Sequence, residues 1–256
     1  MIDRFDITMT ATLRPELIKR TLESHIEYLF KEHIKKARLI INIDPAGAES
    51  PEEITDLKEY IWDLISFFPF YKADVRTPKT SHFPTAFWWC MKQIREPLFF
   101  HLEEDWELLQ EIDFKEMVSL FSEYPKLVHL RLSAFGSETD KMKNWNKWIP
   151  WNGAFFEVPD NLKGVIGWAG HPALNRTYFM RRVLPFVNLE SNPEKQIKGH
   201  TPFVKEFIPE YSFGCFHKPN TPKALVDIGR TWMKEKGYQK KGSKAFFVNW
   251  EKIEEK

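Results

Sequence analysis

The sequence predicts an α/β fold in which helices flank a mainly parallel central sheet. Short apolar segments alternate with amphipathic segments of helical period through the first 130 residues, a pattern typical of right-handed βαβ units. Two of the apolar segments end in acidic residues, and open α/β sheets bind ligands at the carboxyl ends of their strands. The length of 256 residues suits one large domain, and we expect residues 1–256 to form it.

Strands and helices alternate through the first 107 residues. The segments that predict strands are apolar or β-branched and contain no Gly or Pro: residues 5–12, 37–43, 71–75 and 98–102. The segments that predict helices repeat apolar residues at helical spacing: residues 15–30, 51–68 and 84–94. Pro15 and Glu16 suit a first helical turn.

The second half of the chain is less regular. A helix is predicted from residue 113 to about 124, and a strand at 127–132. Residues 133–170 show little periodicity apart from an edge strand at 154–158, and a long irregular segment is more often functional than idle. The remaining predicted elements are a helix, a strand and a second helix before a solvated tail: residues 175–184, 211–217 and 222–236.

Composition narrows the class of protein. Hydrophobic residues at 43% and charged residues at 29% describe an ordinary globular protein. A net charge of +1 argues against a global field for nucleic acid. Cys90 and Cys215 lie far apart, so we expect buried free thiols. The N-terminus lacks the pattern of a signal peptide and no stretch is long enough for a membrane span, so we expect a cytoplasmic protein.

Three consecutive acids, Glu103, Glu104 and Asp105, follow the apolar segment 98–102. Adjacent carboxylates repel one another unless a cation or ordered donors compensate, and oxygen ligands of this kind suit Mg²⁺ or Mn²⁺. The segment therefore predicts a metal site at the end of a buried strand. A solvated acidic turn is the alternative interpretation.

Residues 10–24, Thr-Ala-Thr-Leu-Arg-Pro-Glu-Leu-Ile-Lys-Arg-Thr-Leu-Glu-Ser, resemble the opening of GT-A glycosyltransferases. The similarity is greatest to the large inverting family 2, which includes enzymes of bacterial glycan synthesis. In that family a second strand ends in an Asp that contacts the nucleotide, and Asp44 occupies that place. The acids at 103–105 resemble its Asp-X-Asp motif, with Glu at the first position. The resemblance covers residues 1–107 and implies a nucleotide-sugar-binding half there, followed by an acceptor-binding half at 108–256.

The resemblance implies roles for particular side chains. Asp105 would ligate Mn²⁺ or Mg²⁺, Glu103 would contact the metal or the ribose, and His217, after a late strand, would complete the metal site. The residues implied in binding the nucleotide sugar, UDP-linked by family frequency, are Thr10, Thr12, Arg14, Asp44, Arg95, Glu103 and Glu104. A cation on the diphosphate would stabilise the leaving group, which makes Asp105 a catalytic residue.

An inverting transferase also needs a general base for the acceptor hydroxyl. The family has an acid near the start of a later helix, and Glu194 in Ser-Asn-Pro-Glu-Lys-Gln is the best match because Pro193 suits a helix start. Glu190 and Asp160 are the competing residues. Each of the three can equally be a capping or surface acid.

The acceptor is expected to bind the irregular segment. Trp168 and His171 lie where the family has a Gly-rich loop, and Trp151 is a further aromatic candidate. The acceptor would be a glycan or small molecule, or a hydroxymethylated pyrimidine in DNA, as in bacteriophage enzymes that are similar to this one. Trp145 and the lysines at 141, 143 and 147 would then serve a flipped base.

The sequence thus predicts a metal-dependent glycosyltransferase, a hexosyl- or pentosyltransferase. No Gly-rich phosphate loop and no Gly-X-Ser-X-Gly elbow follow a strand. The Gln-X-X-Arg-Trp signature of processive synthases is also missing, which favours single transfers. A nucleotidyltransferase is the second enzyme class, although residues 9–15 lack its glycines. The alternative outside enzymes is a nucleotide- or carbohydrate-binding module of the same fold.

Overall fold

The computed structural model describes residues 3–46, 50–134, 149–219, 221–235, 237–241 and 249–252. Trp145 and the lysines at 141, 143 and 147 lie outside these ranges. The α-helices are α1 (Pro15–His25), α2 (Pro51–Ser66), α3 (Phe83–Gln93), α4 (Phe114–Glu123), α5 (Thr177–Val183), α6 (Pro193–Lys195), α7 (Pro202–Phe207) and α8 (Gly229–Glu235). Among the described residues, no helix is long and apolar enough to cross a membrane.

Twelve strands are found in the described ranges. They are β1 (Phe5–Thr12), β2 (Ala37–Asp44), β3 (Lys72–Arg76), β4 (Leu98–Glu103), β5 (Trp106–Leu108), β6 (Leu127–Leu132), β7 (Phe156–Glu157), β8 (Ala173–Arg176), β9 (Ser212–Phe216), β10 (Leu225–Asp227), β11 (Tyr238–Lys241) and β12 (Asn249–Lys252). Eight of them form the central sheet, in the order β3-β2-β1-β4-β8-β6-β9-β7. Strands β3, β2, β1 and β4 are parallel to one another, whereas β8 is antiparallel to both of its neighbours.

Local sequence signals fix where three of the long helices begin. Ser50 Oγ accepts a hydrogen bond from the backbone N–H of Glu53 at 3.1 Å. Asp113 Oδ1 accepts one from the N–H of Glu116 at 3.0 Å, and His82 caps α3 in the same way. Each cap satisfies a backbone donor that the first helical turn leaves without an intrahelical acceptor.

The two faces of the sheet differ in chemistry. One face is aliphatic and aromatic, and residues such as Ile7, Met9 and Leu102 pack there in a single core with α1, α2 and α4. The other face, under α3 and α5, also contains buried polar pairs. Arg38 Nε donates to Asp6 Oδ1 at 2.8 Å, and Thr8 Oγ1 lies 3.0 Å from His101 Nδ1. These pairs satisfy polar groups that this face buries at the amino ends of β1 and β2 and in the middle of β1 and β4.

The predicted α/β fold with a mainly parallel sheet is confirmed, and residues 156–157 form an edge strand as expected. Cys90 and Cys215 are buried free thiols, also as expected. Two expectations for the second half were wrong. Residues 173–176 form β8, a central strand, and the predicted helix begins only at residue 177. Residues 225–227 form β10, which pairs with β5 in a separate two-stranded sheet, and the last helix follows it.

Candidate functional site at the carboxyl edge of the sheet

The parallel register brings several predicted site residues to one edge of the sheet. Thr10 on β1 is the partner of Glu103 on β4, and Thr12 is the partner of Asp44 on β2. These residues come from segments far apart in sequence, yet they meet because parallel strands end on the same side. The edge where β1, β2 and β4 end is the candidate functional site.

Glu104 has a structural role at this edge of the sheet. Its side chain is 6% exposed, and Oε1 accepts hydrogen bonds from the backbone N–H and the hydroxyl of Thr12, each at 3.0 Å. The same oxygen accepts one from Arg14 Nη2 at 2.5 Å. Glu104 therefore fixes the turn from β1 into α1, and its carboxylate is occupied by that turn in this conformation. The sequence had placed it among the nucleotide ligands.

Arg14 lies between two acids of the cluster. Its Nη2 is 3.4 Å from Asp105 Oδ2, and its guanidinium carbon lies 5.4 Å from the centre of the Trp232 ring. Burial opposes the positive charge of Arg14, but the Glu104 and Asp105 carboxylates outweigh burial and raise its pKa. Arg14 is thus a fixed cation beside Asp105, and its positive charge would attract an anion to this position.

Asp105 occupies a crowded position against the C-terminal elements. Its backbone oxygen accepts a hydrogen bond from Ile228 N–H at 2.9 Å, and a Cβ on Gly229 would lie 2.2 Å from Asp105 Oδ2. Burial, and then the charge of Glu104, raise the pKa of Asp105 to about 7, while Arg14 acts in the opposite direction. Asp227 on β10 also raises this pKa, so a third carboxylate lies near Asp105. Asp227 was not predicted as a site residue, because residues 225–227 were expected to lie inside a helix.

Glu103 is held between Trp106 and the segment after the irregular region. The Trp106 indole N–H donates to Glu103 Oε2 at 3.4 Å, and a Cβ on Gly170 would lie 3.1 Å from Glu103 Oε1. Burial first, and then the charges of Asp105 and Glu104, raise the pKa of Glu103 well above its ordinary value. The charge of Glu194 makes the smallest contribution in the same direction, so Glu194 is within electrostatic range of Glu103.

The three acids that the sequence offered as general base occupy different places. Glu194, at the start of α6, forms an ion pair with Lys198 at 2.5 Å and acts electrostatically on Glu103. Asp160 is 84% exposed and pairs with Lys163 at 2.7 Å. Glu190 lines a cavity at the ends of β2 and β3. Of the three, Glu194 is the acid whose charge acts on the cluster.

A cavity of about 290 Å³ lies at the ends of β2 and β3. Its lining includes Asp44, Arg76, Thr80, Ser81, His82 and Glu190. Asp44 Oδ1 accepts from Asn42 Nδ2 at 2.7 Å and Oδ2 accepts from the His82 N–H at 3.0 Å, while burial raises the pKa of Asp44. The cavity has hydroxyl, guanidinium and carboxylate groups in one recess, beside the acid cluster.

His171 packs against Trp106 at this edge of the sheet. Its ring centre lies 4.8 Å from that of Trp106, the residue that hydrogen-bonds Glu103. Burial, followed by the charges of Arg131 and Lys198, lowers the pKa of His171 to about 4. His171 is therefore a neutral imidazole at neutral pH, in a place where the sequence expected an acceptor contact.

Four predicted site residues lie apart from the acids. Trp168 is 1% exposed, packed among Phe87, His101 and His129, so neither ring face is open to a ligand. Arg95 lies at the amino end of β4, where its backbone N–H donates to Asp6 Oδ2. That end is separated from Glu103 by roughly 16 Å of strand.

His217 and Trp151 lie by β9 and β7, the last two strands of the sheet order, away from β4 and its acids. Both rings contact Phe156, with centres 6.2 and 5.2 Å away. Strand β9, which ends before His217, is three positions from β4, roughly 14 Å at the usual strand spacing. Burial alone lowers the pKa of His217, which lies near Thr221 Oγ1 and lines another cavity, of about 620 Å³. The structure does not bring His217 to Asp105.

The oxygens at the edge match the preferences of a hard divalent cation. Glu103, Asp105 and Asp227 supply carboxyl oxygens, and burial followed by neighbouring acids raises the pKa of the first two, an effect that a bound cation would oppose. Within the described ranges, however, no three His, Cys, Asp or Glu side chains are already arranged as a metal site. Arg14 provides the nearest positive charge to Asp105 in this conformation.

No protein-family model matches the sequence, and no curated protein matches it. The fold is similar to that of S. aureus TarS 1–349, with a TM-score of 0.53 and 12% identity over 86% of this chain and 59% of that one. The complex of that protein with UDP-GlcNAc gives a TM-score of 0.51 at 12% identity, over 86% and 57% of the two chains. The chain thus spans less than two thirds of these structures.

A mannosyltransferase, PcManGT from Pyrobaculum calidifontis in complex with GDP-Man and Mn²⁺, is similar as well. Its TM-score is 0.52 at 10% identity, and the match covers 91% of this chain and 61% of that chain. At such identities the likeness concerns the fold. It confirms the GT-A-like α/β architecture that the sequence predicts.

Proposed function

We propose that this chain is a glycosyltransferase that moves a sugar from a nucleotide-sugar donor to an acceptor hydroxyl. The observation that carries the proposal is the arrangement at the ends of β1, β2 and β4. Asp44 lines a polar cavity, two carboxyl groups of raised pKa follow β4 at the same edge of the sheet, and the charge of a further acid, Glu194, acts on Glu103. Structures of this fold with bound UDP-GlcNAc or GDP-Man support a nucleotide sugar as donor.

The donor's nucleoside fits the cavity between β2 and β3. Arg76, Thr80 and Ser81 offer donors for a base or a ribose, and Asp44 and Glu190 offer acceptors. The diphosphate then extends along the edge towards Asp105, where the guanidinium of Arg14 attracts its charge. We propose UDP and GDP as the nucleotides to test first.

Asp105 and Glu103 would hold a divalent cation, Mn²⁺ or Mg²⁺, with Asp227 close by. A cation bound there would supply positive charge for the departing nucleoside diphosphate. The chain's own contribution is to keep several carboxylates together in a buried place and to balance part of their charge with Arg14. The pKa values of both acids are raised, and a cation bound between them would lower these values and so favour the deprotonated carboxylates.

Glu194 is proposed as the general base. It would accept the proton of the acceptor hydroxyl while that oxygen attacks the anomeric carbon and the bond to the diphosphate breaks. In this conformation Lys198 is paired with the Glu194 carboxylate. Lys198 contacts Oε1 of Glu194, so Oε2 would accept the proton of the acceptor hydroxyl while the ion pair keeps the carboxylate oriented.

The acceptor is proposed to be a hydroxyl of a glycan or small molecule. It would approach past His171, which borders Glu103 through Trp106. Hydroxymethylated DNA stays a prediction without support from the described residues, because Trp168 is buried and Trp145 and its neighbouring lysines lie outside them.

Release of nucleoside diphosphate from UDP- and GDP-sugars tests this assignment. We expect Glu194→Gln to lower the rate about 100-fold or more, because general bases contribute that much, while nucleotide affinity stays within about twofold. Asp160→Asn is the matched control, since Asp160 is an exposed acid in an ion pair away from the cluster. A wild-type rate in Glu194→Gln together with a large loss in Glu190→Gln would move the base to Glu190.

A further inference from the structure

The segment of residues 166–171 packs against the Glu103 side chain. Gly170 approaches Glu103 so closely that a Cβ there would lie 3.1 Å from Oε1. The next residue, His171, packs its ring against Trp106, whose indole N–H donates to the other oxygen of Glu103. The position of the Glu103 carboxyl therefore depends on where this segment lies.

Two side chains of β6 attach the segment to the sheet. Arg131 Nη1 donates to the backbone oxygen of Ile166 at 2.7 Å. The backbone N–H of Ala169 donates to His129 Nε2 at 3.4 Å. His129 and Arg131 are two residues apart on one strand, so both project from the same face of the sheet. The contact at Ala169 is immediately next to Gly170, the residue that touches Glu103.

A buried network fixes which nitrogen of His129 accepts this bond. Nδ1–H of His129 donates to Asn175 Oδ1 at 2.7 Å, and the indole N–H of Trp168 donates to the same oxygen at 3.3 Å. Asn175 Nδ2 donates to the Ala173 oxygen at 2.8 Å, which sets the orientation of the amide. With its proton on Nδ1, His129 presents a lone pair on Nε2 to Ala169. Burial lowers the pKa of His129 well below its ordinary value, so the ring stays neutral.

We propose that His129 is a positioning residue of the transfer site, acting through the Ala169 amide to hold residues 166–170 against Glu103. It does not touch the acids itself. The inference rests on the proposed function for its effect on turnover, but its structural part does not. Trp168, which the sequence predicted as an acceptor contact, has a different role in this network: its indole N–H helps to fix Asn175 and thereby the tautomer of His129.

Two substitutions separate the two hydrogen bonds of His129. The amide of His129→Asn reaches the place of Nδ1 but not that of Nε2, whereas His129→Gln reaches Nε2. We expect His129→Asn to lower kcat about tenfold, the usual effect of losing an outer support of a site, with KM for the donor little changed. Hydrogen exchange of the peptide containing Ala169 and Gly170 should become faster in His129→Asn. His129→Gln should retain most of the rate and of the protection.

His25→Asn is the control, because His25 is equally buried but lies on α1 with its Nδ1 at the Thr21 oxygen. It should lose stability and keep both the exchange at Ala169 and kcat. Wild-type exchange at Ala169 in His129→Asn, or an equal loss of kcat in the Asn and Gln variants, would overturn the proposal. The exchange is measured without substrate. A wild type that transfers no sugar therefore removes the proposed function, whereas unchanged exchange removes this inference.

Discussion

The protonation state of a single buried residue, Asp105, affects the stability of the folded protein. Burial and the charge of Glu104 raise its pKa to about 7 from an ordinary 3.8. Between these values the folded protein keeps a proton on Asp105 that the unfolded chain has released. The contribution of Asp105 to stability therefore falls as the pH rises from about 4 to about 7. Near neutral pH, loss of the Asp105 proton therefore lowers the free energy of unfolding.

Asp105→Asn should therefore become more stable relative to the wild type as the pH rises. We expect the melting temperature of the variant minus that of the wild type to increase steadily between pH 5 and pH 7. Scanning calorimetry in metal-free buffer measures this difference. The control is Asp160→Asn, whose exposed carboxyl has a pKa lowered mainly by Lys163, so the difference should be flat over the same range. A flat difference for Asp105→Asn would contradict the raised pKa.

The site residues also show what sequence could predict at this scale. Thr10, Thr12, Asp44 and Glu103 meet at one edge, because parallel register follows from the strand pattern and the carboxyl edge is common to all strands. Asp227 was not predictable, since it lies near Asp105 only through the pairing of β10 with β5. His217 was misplaced for the reciprocal reason: it follows a strand of the right direction, but three positions away from β4.

At the scale of elements, the close packing of β10 and α8 against Asp105 is the most specific feature. Gly229 begins α8, and any side chain there would collide with the Asp105 carboxylate, with Cβ 2.2 Å from Oδ2. Steric conflict of this size forces the carboxylate or the helix to move. The start of α8 therefore restricts the orientation of the Asp105 side chain.

Gly229→Ala should displace Asp105 and weaken any nucleotide binding that depends on Mn²⁺. We expect a loss of about 1–3 kcal/mol of unfolding free energy, the usual cost of overpacking, together with an affinity for nucleotide and Mn²⁺ lowered at least tenfold. Urea unfolding and calorimetric titration measure the two effects. Gly164→Ala is the matched control, because its nearest neighbour would be an ordinary contact at 3.6 Å. Equal behaviour of the two variants would show that α8 does not position Asp105.

The elements of the first half were predictable from sequence, and so were α4, β6, β7 and β9 in the second half, whereas β8 and β10 were not. Strands β1, β2 and β4 are rich in apolar and β-branched residues without Gly or Pro, and such segments are recognisable as strands from sequence alone. Strand β8 has four residues and runs directly into α5, so its Asn175 and Arg176 were assigned to the helix. Its position in the middle of the sheet depends on pairing with β4 and β6, which local sequence does not record.

For the whole molecule, the buried ion pair of Asp6 and Arg38 joins the first two strands at the edge opposite the site. Arg38 is 3% exposed and Asp6 is fully buried, and Asp6 also accepts the backbone N–H groups of Arg95 and Glu96. Removing one partner of such a pair leaves an uncompensated buried charge. This cluster therefore stabilises the fold without belonging to the site.

Arg38→Met should lower the free energy of unfolding by about 3–5 kcal/mol, because it strands the charge of Asp6 in the interior. Nucleotide binding at 10 °C should stay within about twofold of the wild type, since the substitution lies at the far end of the strands. Urea unfolding and calorimetric titration provide the measurements. Lys19→Met, which breaks an exposed pair with Glu23, should cost less than about 1 kcal/mol. A similar small cost for Arg38→Met would refute the stabilising role.

The measurement that tests the central claim most directly is a thermal-shift titration with UDP, GDP, CDP and dTDP, each with and without Mn²⁺. A ligand that binds only the folded state raises the melting temperature by mass action. We predict a shift for one nucleotide that requires Mn²⁺, is lost in Asp105→Asn and is kept in Asp160→Asn. No shift with any nucleotide, or the same shift in Asp105→Asn, would contradict a nucleotide-sugar site at this edge of the sheet.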